Sequence, residues 1–360
     1  MTSQTSQALR INKVQLSLLE ELTNANGVSG DESEVREIIR KKVAPFADEI
    51  KVDAMGNLLV IKHAQTAGAM RVMVDAHMDE VGFMIVDQDG DGLFEFVQVG
   101  GGDERQFISK AVVVGRQKLP GVIGCKPIHL TSKEERLQKI SLDSLRIDLG
   151  PAGKDQAKRG DFVAYATRFS YSGDTIFAKA LDDRLGCATL IELLKTVPQN
   201  IEFLASFSTQ EEIGLRGAKV AAYDFEPQVV IAVDSTPAYD FARPDGSENT
   251  QYNCKLRGGP AIYLADRGTL SDPRLVRFIT NIAEEKKIPY QYRQPGGGGT
   301  NAGALHLTRG GIPAVSISIP GRYAHSAVMM ASISDWQNTL QLLHDVLANL
   351  SPAVLEEERP

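Results

Sequence analysis

Ile201-Glu-Phe-Leu-Ala-Ser-Phe-Ser-Thr-Gln-Glu-Glu-Ile-Gly214 joins an apolar run to a pair of adjacent acids. The apolar run predicts a buried β-strand, and Gly214 predicts the turn that leaves it. Neighbouring side chains at a strand end point in different directions, so one acid of Glu211 and Glu212 can face a metal ion while the other reaches a water molecule. An isolated Glu-Glu pair is more often a solvated pair on a loop. The rest of the chain has to decide between these interpretations.

Helices and strands alternate on both sides of this stretch, which predicts an α/β fold. The predicted strands are residues 57–62, 70–75, 203–207, 228–233, 290–293 and 312–319, and the predicted helices are residues 11–43 (broken by a loop near 24–30), 185–197, 271–287 and 336–350. From about residue 83 to 170 the chain instead holds short β-rich pieces between Gly, Pro and charged turns, which predicts a small β-barrel or sandwich. We expect a discontinuous catalytic α/β domain, residues 1–82 and 172–360, interrupted by an inserted β-rich domain, residues 83–171.

Composition and charge exclude several classes of protein. The formal net charge of −7 gives no basic footprint for nucleic acid. No apolar run reaches the length of a membrane-spanning helix, and Met1-Thr-Ser-Gln-Thr-Ser-Gln7 lacks the features of an export signal. Cys125, Cys187 and Cys254 lie far apart, which argues against a disulfide framework or a thiolate zinc site. We therefore expect a cytoplasmic protein with neither nucleic acid nor membrane as a partner.

Acids and histidines collect where the predicted strands end. His77 and Asp79 follow one strand, the acid pair and Asp234 follow two others, His325 lies just beyond a fourth, and Asp182 and Asp183 open a helix. Sites in open α/β sheets gather at the carboxyl ends of the strands, so these side chains can converge. His, Asp and Glu without Cys suit a hydrolytic Zn²⁺, Co²⁺ or Mn²⁺ centre.

Each of these residues also has a structural interpretation. His77 alone could serve in the core or as a cap, and Asp182-Asp183 alone could cap a helix. Asp234 alone could cap the turn that follows it. His306 falls in a predicted helix at 302–308 and is interpreted as structural. The metal interpretation is favoured because all the structural alternatives would have to hold together.

One motif points to a different chemistry. Gly297-Gly-Gly-Thr-Asn-Ala302 matches the G-x-G-x-x-A pattern of dinucleotide sites. No acid lies about 20 positions downstream to bind a ribose, and the match does not open a βαβ unit. Patterns for a P-loop, a serine-hydrolase elbow and an HExxH zinc site are absent from the sequence. A nucleotide site is therefore not favoured.

Several motifs in one order resemble a known family. They are Ala76-His-Met-Asp-Glu-Val-Gly82, Lys179-Ala-Leu-Asp-Asp-Arg184, Gln210-Glu-Glu-Ile-Gly-Leu-Arg-Gly217, Val233-Asp234, Gly298-Gly-Thr-Asn-Ala-Gly303 and Arg322-Tyr-Ala-His-Ser326. The chain resembles the cytosolic metallo-aminopeptidases that include glutamyl aminopeptidase and the tetrahedral (TET) deblocking aminopeptidases, some members of which are labelled cellulase M. The resemblance implies an α/β/α sandwich with a mixed central sheet and a dinuclear metal site. It also implies that the inserted domain makes dimer contacts and that dimers assemble into tetrahedral dodecamers.

The resemblance assigns roles to seven side chains and implies peptide substrates with a free N-terminus. Asp182 would bridge two divalent ions, Zn²⁺ or Co²⁺. His77 and Asp234 would complete the site of one ion, and Glu212 and His325 the site of the other. Glu211 would be the general base, and Asp79 would hold His77. The choice of Asp182 over Asp183 rests on the family pattern, because spacing alone leaves both open.

The sequence departs from the family pattern near the expected substrate pocket. Many members carry Asp at the position of Asn301, and a polar residue or imidazole where this chain has Ala327. We therefore name Asn301, Arg293 and Arg322 as candidate substrate-binding residues. Either arginine could attract an acidic side chain, although Arg322 equally suits a structural ion pair.

Three other functions remain as alternatives. A related dinuclear amidohydrolase, such as a deacylase or carboxypeptidase, would use the same ligands. An inactive oligomeric scaffold would have no use for Glu211 as a base. A glycosidase would need two carboxylates flanking a sugar groove rather than acids grouped with histidines.

Overall fold

The computed structural model describes residues 9–247, 254–295, 297–356 and 359. The N-terminal stretch for which no export signal is predicted lies outside the described residues. None of the helices within the described ranges is both long and apolar enough to cross a membrane.

The strands and helices alternate along the chain except in its second quarter, which is almost entirely β. The strands are β1 (Glu49–Val52), β2 (Leu58–Lys62), β3 (Met70–His77), β4 (Gly82–Gly90), β5 (Leu93–Val99), β6 (Ala111–Val114), β7 (Leu119–Gly124), β8 (Arg146–Asp148), β9 (Phe162–Tyr165), β10 (Ser170–Ser172), β11 (Thr175–Ala178), β12 (Ile201–Ser208), β13 (Val229–Pro237), β14 (Ala261–Tyr263), β15 (Gln291–Arg293), β16 (Ala314–Arg322) and β17 (Met329–Ser332). The helices are α1 (Lys13–Asn24), α2 (Ser33–Val43), α3 (Lys133–Leu137), α4 (Leu181–Leu194), α5 (Arg216–Phe225), α6 (Pro273–Lys286), α7 (Ala302–Leu305) and α8 (Ile333–Asn349).

An eleven-stranded mixed sheet forms the larger part of the molecule. Its main order is β1-β2-β12-β3-β13-β16-β17-β11-β10, and β14 pairs with both β15 and β16. The central strands β12, β3, β13 and β16 run parallel, and the outer strands pair antiparallel except for β15, which runs parallel to β14. Because the carboxyl ends of the parallel strands lie at one edge, the side chains that follow them are brought together there.

Alternate residues of the central strands face two different helical layers. On β3, Val72 and Val74 join the core cluster that includes residues of α1, α2, α4, α6 and α8. The intervening Met73 packs instead with residues of α5 and α7 on the other face. Burial on both faces explains why these strands read as continuous apolar runs. The predicted α/β/α sandwich with a mixed central sheet is therefore confirmed.

Helix α4 lies inside the first layer and positions the acids at its start. Nearly all of its residues are buried, and its contacts are with β3, β13, α1 and α8. An apolar surface on all sides is what a helix enclosed by other elements requires. Its N-terminal residues consequently point from the core toward the carboxyl edge of the sheet.

The inserted block is a closed barrel of six strands in the order β4-β5-β8-β7-β6-β9. Its own core contains Phe83, which makes edge-on contacts with Phe96, Phe107 and Tyr165. The barrel interpretation of this block is thus confirmed over the sandwich. The domain boundaries at residues 82/83 and 171/172 stay a prediction.

The main path of the large sheet ends at two edge strands, β1 and β10, and its side branch ends at a third, β15. All four side chains of β1 and all three of β10 are exposed. Lys51 of β1 forms an ion pair with Asp224, and Ser170 and Ser172 are polar. Strands β1 and β10 are therefore short and carry polar groups.

Two kinds of element differ from the sequence prediction. Helix α4 spans Leu181–Leu194, but Asp182 and Asp183 have non-helical φ and ψ, so its regular part begins directly after the acid pair, close to the predicted 185, and it ends before the predicted 197. Outside the barrel, five strands were not predicted, since three or four residues carry too short a pattern to separate them from loops: β1, β10, β11, β14 and β17.

Candidate metal centre

His77 is the last residue of β3 and lies between two carboxylates. Its Nε2 is 3.3 Å from Oδ1 of Asp182 and 3.6 Å from Oδ1 of Asp234. The imidazole is buried. Strand β13 pairs in parallel with β3, which is why Asp234, near the end of β13, arrives beside His77. These three side chains form the first ligand set.

His325 forms a second set with two other acids. Its Nε2 is 3.5 Å from Oδ2 of Asp182 and 3.3 Å from Oε2 of Glu212. His325 follows β16 in the left-handed region, with a φ of 56°, and Ser326 fixes the turn by donating to the carbonyl of Tyr323 at 2.7 Å. The two oxygens of Asp182 thus face different histidines.

Asp183 points to a different environment. Its Oδ1 accepts the backbone N–H of Gly186 at 3.0 Å, as an acid at a helix start does. Asp183 also lies near His77 and Asp234, in a group whose potential ligand atoms are all within 4.8 Å of one another. Only Asp182 is within ion-pair distance of both His77 and His325. We therefore take Asp182 as the better candidate for a shared ligand.

Asp79 connects the two sets through the backbone. Its Oδ1 accepts the N–H of Glu211 at 3.0 Å, and its Oδ2 accepts the N–H of Glu212 at 3.1 Å. Nδ1 of His77 lies 3.2 Å from the Asp79 carbonyl and 3.4 Å from Oδ1 of its carboxylate. One carboxylate consequently orients an imidazole and fixes the acid pair.

Ser29 was not predicted as part of the site. Its buried hydroxyl donates to Oδ2 of Asp79 at 2.6 Å. The sequence places Ser29 in a loop between two helices, and no local pattern marks it as a partner of Asp79. The contact depends on the folded chain bringing this loop against the end of β3, where Val28 bridges to Glu80.

A buried ion cluster beneath the site was also missed. Nζ of Lys179 lies 2.6 and 2.7 Å from the two carboxylate oxygens of Glu80, and Nη2 of Arg184 lies 3.4 Å from Oε1. Burial lowers the pKa of Lys179 to about 8 even though Glu80 opposes the shift. The motifs around residues 76–82 and 179–184 contain all three residues, so the sequence signal was present without an assigned role.

Burial and crowding raise the pKa values of three acids of the site, Glu211, Glu212 and Asp234. Burial raises the pKa of Glu212 to about 8 and that of Asp234 to about 6. Burial likewise raises the pKa of Glu211 well above its ordinary value, with Asp234 and Glu212 adding to the effect. Since metal ligands must be deprotonated, bound protons and a cation compete for these groups.

The histidines shift with the carboxylates around them. Burial disfavours the charged form of His77, but Asp182 and Asp234 outweigh it and raise the pKa of His77. Burial also disfavours the charged form of His325, but Asp182 and Glu212 outweigh it and raise the pKa of His325 to about 9. In Asp182 burial is outweighed by the two histidines, which lower its pKa. The cluster has the charge distribution of a cation site.

The side chains present fit a divalent metal. Oδ1 of Asp182 is buried and accepts no hydrogen bond from the described residues, although an uncompensated buried carboxylate oxygen is costly. The donors are imidazole and carboxylate, with no thiolate among them. Cys187 donates its S–H to the carbonyl of His77 at 3.1 Å, and burial raises the pKa of its thiol above the ordinary range. Such a set suits Zn²⁺, Co²⁺ or Mn²⁺.

The three candidate substrate-binding residues are less closely connected to the ligands. Arg322 is paired with Asp240, whose Oδ1 lies 2.6 Å from its Nε. Asn301 is buried and donates to the hydroxyl of Ser208 at 2.9 Å. Arg293 is buried over the ring of Tyr263, and its Nε has no hydrogen-bond partner among the described residues. These contacts show how each side chain is held and leave substrate contact a prediction.

Comparison with known proteins identifies the family of the chain. Residues 56–342 match the sequence model of the family described as M42 glutamyl aminopeptidase, and residues 13–39 match one named AMPT. The glutamyl aminopeptidase of Lactococcus lactis subsp. cremoris is 31% identical over 351 residues, covering 93% of this chain and 96% of that protein. The lysyl aminopeptidase of Pyrococcus furiosus is 33% identical over 347 residues, covering 93% and 97%.

Solved structures of similar proteins have the same fold. Aminopeptidase APDkam598 from the archaeon Desulfurococcus kamchatkensis superimposes with a TM-score of 0.89 at 32% identity, covering 95% of this chain and 97% of that chain. The TET1 peptidase of Pyrococcus horikoshii gives a TM-score of 0.82 at 32% identity, covering 93% and 100%. The chain therefore belongs to the M42 glutamyl aminopeptidase family and is a peptide hydrolase.

Proposed function

We propose that this protein removes N-terminal amino acids from peptides with the help of two divalent metal ions, Zn²⁺ or Co²⁺. One observation carries the proposal: the two oxygens of Asp182 face His77 and His325 separately. Each histidine has a further acid of its own, Asp234 for His77 and Glu212 for His325. This arrangement supports two adjacent ions with Asp182 as the shared ligand.

The remaining acid of the pair is the proposed general base. Glu211 follows β12 next to Glu212, and Asp79 holds both backbone N–H groups. When bound, two cations would acidify a water molecule and polarise the scissile carbonyl. Glu211 would accept a proton from the attacking water and return it to the departing amine. Burial raises the pKa of Glu211 in the metal-free chain, and neighbouring cations would lower it, so that Glu211 is deprotonated at neutral pH and can act as a base.

A free α-amine on the substrate would restrict cleavage to the first residue, which is the property that separates aminopeptidases from deacylases. Arg293 is the candidate that best supports an acidic first residue, because within the described residues no carboxylate lies within ion-pair distance of it. Its guanidinium donates to the carbonyls of Gln294 and Gly297 at 3.2 and 2.7 Å. Arg322 and Asn301 remain weaker candidates, since each is occupied by a neighbouring acid or hydroxyl.

We also propose self-assembly through the inserted domain, residues 83–171, into dimers and then a tetrahedral dodecamer. This proposal is supported by the similarity of the chain to the TET1 peptidase of Pyrococcus horikoshii, which can assemble into a tetrahedron or a large octahedral shell. A cytoplasmic location is proposed with it, which the three free cysteines suit. Light scattering of the purified chain measures the assembly, and a stable monomer would contradict it.

The function is tested with protein stripped of metal and reloaded with Zn²⁺, Co²⁺ or Mn²⁺. Activity should require two ions per chain and should release the first residue from free-amine peptides only. A panel of aminoacyl substrates, including Glu, Lys and Leu, measures the preferred residue. Cleavage of N-acetylated peptides would instead favour a deacylase, and release from the other terminus a carboxypeptidase. A loaded protein that cleaves none of these substrates would contradict the proposal.

A further inference from the structure

The barrel touches the metal centre through a turn of three glycines, Gly100-Gly-Gly102, which follows β5. Strands β4 and β5 pair so that Gly82 lies opposite Val99. Because β4 begins directly after Asp79, Glu80 and Val81, this pairing places the turn beside the end of β3 and its ligands. The turn is held by Gln98, whose Nε2 donates to the carbonyl of Gly100 at 2.8 Å.

Each glycine of the turn faces a different neighbour. A Cβ at Gly101 would lie 3.0 Å from Nδ1 and 3.5 Å from Cε1 of His325. A Cβ at Gly100, where φ is +87°, would lie 3.3 Å from Cβ of Glu212. A Cβ at Gly102 would meet the barrel itself, 2.8 Å from Nε2 of Gln98 and 3.0 Å from the ring of Phe107. Gly100 and Gly101 therefore border the second ligand set, whereas Gly102 does not.

His325 has little else to hold its ring. Among the described residues its Nδ1 has no hydrogen-bond partner, whereas Nδ1 of His77 lies 3.2 Å from the Asp79 carbonyl. Metal-binding histidines usually donate their second ring N–H to a neighbouring acceptor, which fixes the ring. The side chain of His325 is also 41% exposed, compared with 2% for His77. Its orientation consequently depends on what packs against its other edge.

We propose that Gly101 is a positioning residue for His325. Because Gly101 has no Cβ, the imidazole of His325 can occupy the position in which its Nε2 faces both Asp182 and Glu212. A side chain at position 101 would turn the ring away from these acids and weaken only the ion that His325 holds. The barrel would thereby take part in shaping the metal centre of its own chain. This inference rests on the proposed pair of metal ions.

The test compares Gly101→Ala and Gly101→Val with the same changes at Gly124, a glycine of the barrel strand β7. A Cβ at Gly124 would meet only the carbonyl of Arg146, at 3.8 Å. Zinc stoichiometry and affinity are measured on each purified protein, together with the visible spectrum of the Co²⁺ form. Melting of the metal-stripped proteins reports on the fold.

We expect Gly101→Ala to weaken one ion by roughly 10- to 100-fold, the effect typical of disturbing the surroundings of a ligand. Gly101→Val should leave one ion bound and change the Co²⁺ spectrum, while both Gly124 variants keep two ions. The melting temperature of the stripped Gly101→Ala protein should match that of wild type, because a half-exposed ring can turn aside. Gly102→Ala should lower that temperature and leave metal affinity unchanged.

A double variant separates positioning from general damage. If Gly101 acts through His325, then Gly101→Ala added to His325→Ala should change metal affinity no further. Additive losses, or unchanged affinity in both Gly101 variants, would overturn the inference. So would a fall in the stripped melting temperature of Gly101→Ala equal to that of Gly102→Ala. A wild-type protein that binds one ion would instead contradict the proposed function.

Discussion

The adjacent acids Asp182 and Asp183 should respond differently to the same neutral substitution. Asp182→Asn removes a charge whose two oxygens face His77 at 3.3 Å and His325 at 3.5 Å, so both ions should be weakened. Asp183→Asn keeps an amide oxygen that can accept the N–H of Gly186 at the start of α4. We expect the first change to weaken metal binding and the second to leave both metal binding and the fold close to wild type.

The expected size follows from how many ligands each ion has. A structural zinc site is worth roughly 10–16 kcal/mol over four ligands, so one ligand accounts for about 3–4 kcal/mol. That corresponds to a loss of roughly 100- to 1,000-fold in affinity, applied to both ions because Asp182 is shared. Asn and Asp cap a helix about equally well, so Asp183→Asn should change the melting temperature little, whereas Asp183→Ala removes the acceptor and should cost about 1 kcal/mol.

The assay is competition of each variant with a coloured chelator, read as ions bound per chain, alongside thermal melting of the stripped protein. The stripped Asp182→Asn protein should melt close to wild type, because the lost attraction to His77 and His325 is offset by relief of repulsion from Asp183, Glu212 and Asp234. Asp183→Asn should keep both ions within about tenfold of wild-type affinity. If Asp183→Asn lost an ion while Asp182→Asn kept both, the assignment of the shared ligand would be reversed.

Three further outcomes are expected. Glu211→Gln should keep two ions and lose roughly 100- to 10,000-fold in kcat, the usual contribution of a general base. Metal analysis and steady-state kinetics measure the two effects, and unchanged turnover would remove Glu211 from the mechanism. Metal affinity should rise about tenfold or more per pH unit from pH 6 to 8, because a cation must displace protons from Glu212 and His325. Burial raises the pKa of Glu212 to about 8, and the acids around His325 overcome burial and raise its pKa to about 9. Metal titrations that give the same affinity at each pH would refute this expectation. Lys179→Met should cost about 3 kcal/mol in urea unfolding, the lower end for a broken buried pair, because the buried charge of Glu80 keeps the weaker 3.4 Å contact with Arg184. Lys179→Met combined with Glu80→Gln should cost less, and a single variant as stable as wild type would argue against the buried pair.

Strong periodic patterns in the sequence were sufficient for the central sheet and for the convergence of the ligands. Strands β3, β12 and β13 are buried on both faces, so their apolar runs are unmistakable. The polar residue at the end of each run is then a site candidate by topology alone. Topology thus predicts from the sequence alone that His77, Glu212 and Asp234 lie together.

Contacts between segments that are far apart in the chain could not be predicted from the sequence. Ser29 reaches Asp79, and Gly101 borders His325, only after the N-terminal loop and the barrel have closed around the sheet edge. Nothing in the local pattern of either residue records its partner. The choice between Asp182 and Asp183 is limited in the same way, because two adjacent acids have the same composition and differ only in their direction.

The short outer strands of the large sheet limit how the protein can associate with itself. A long, flat, apolar edge would offer its free N–H and C=O groups to any passing strand. Here β1 offers four residues, with Lys51 engaged by Asp224, β10 offers three, two of them serine, and β15 also offers three. Edge-to-edge pairing of sheets from different chains into fibres is therefore disfavoured. Self-association is left to side-chain surfaces that can close into particles of finite size.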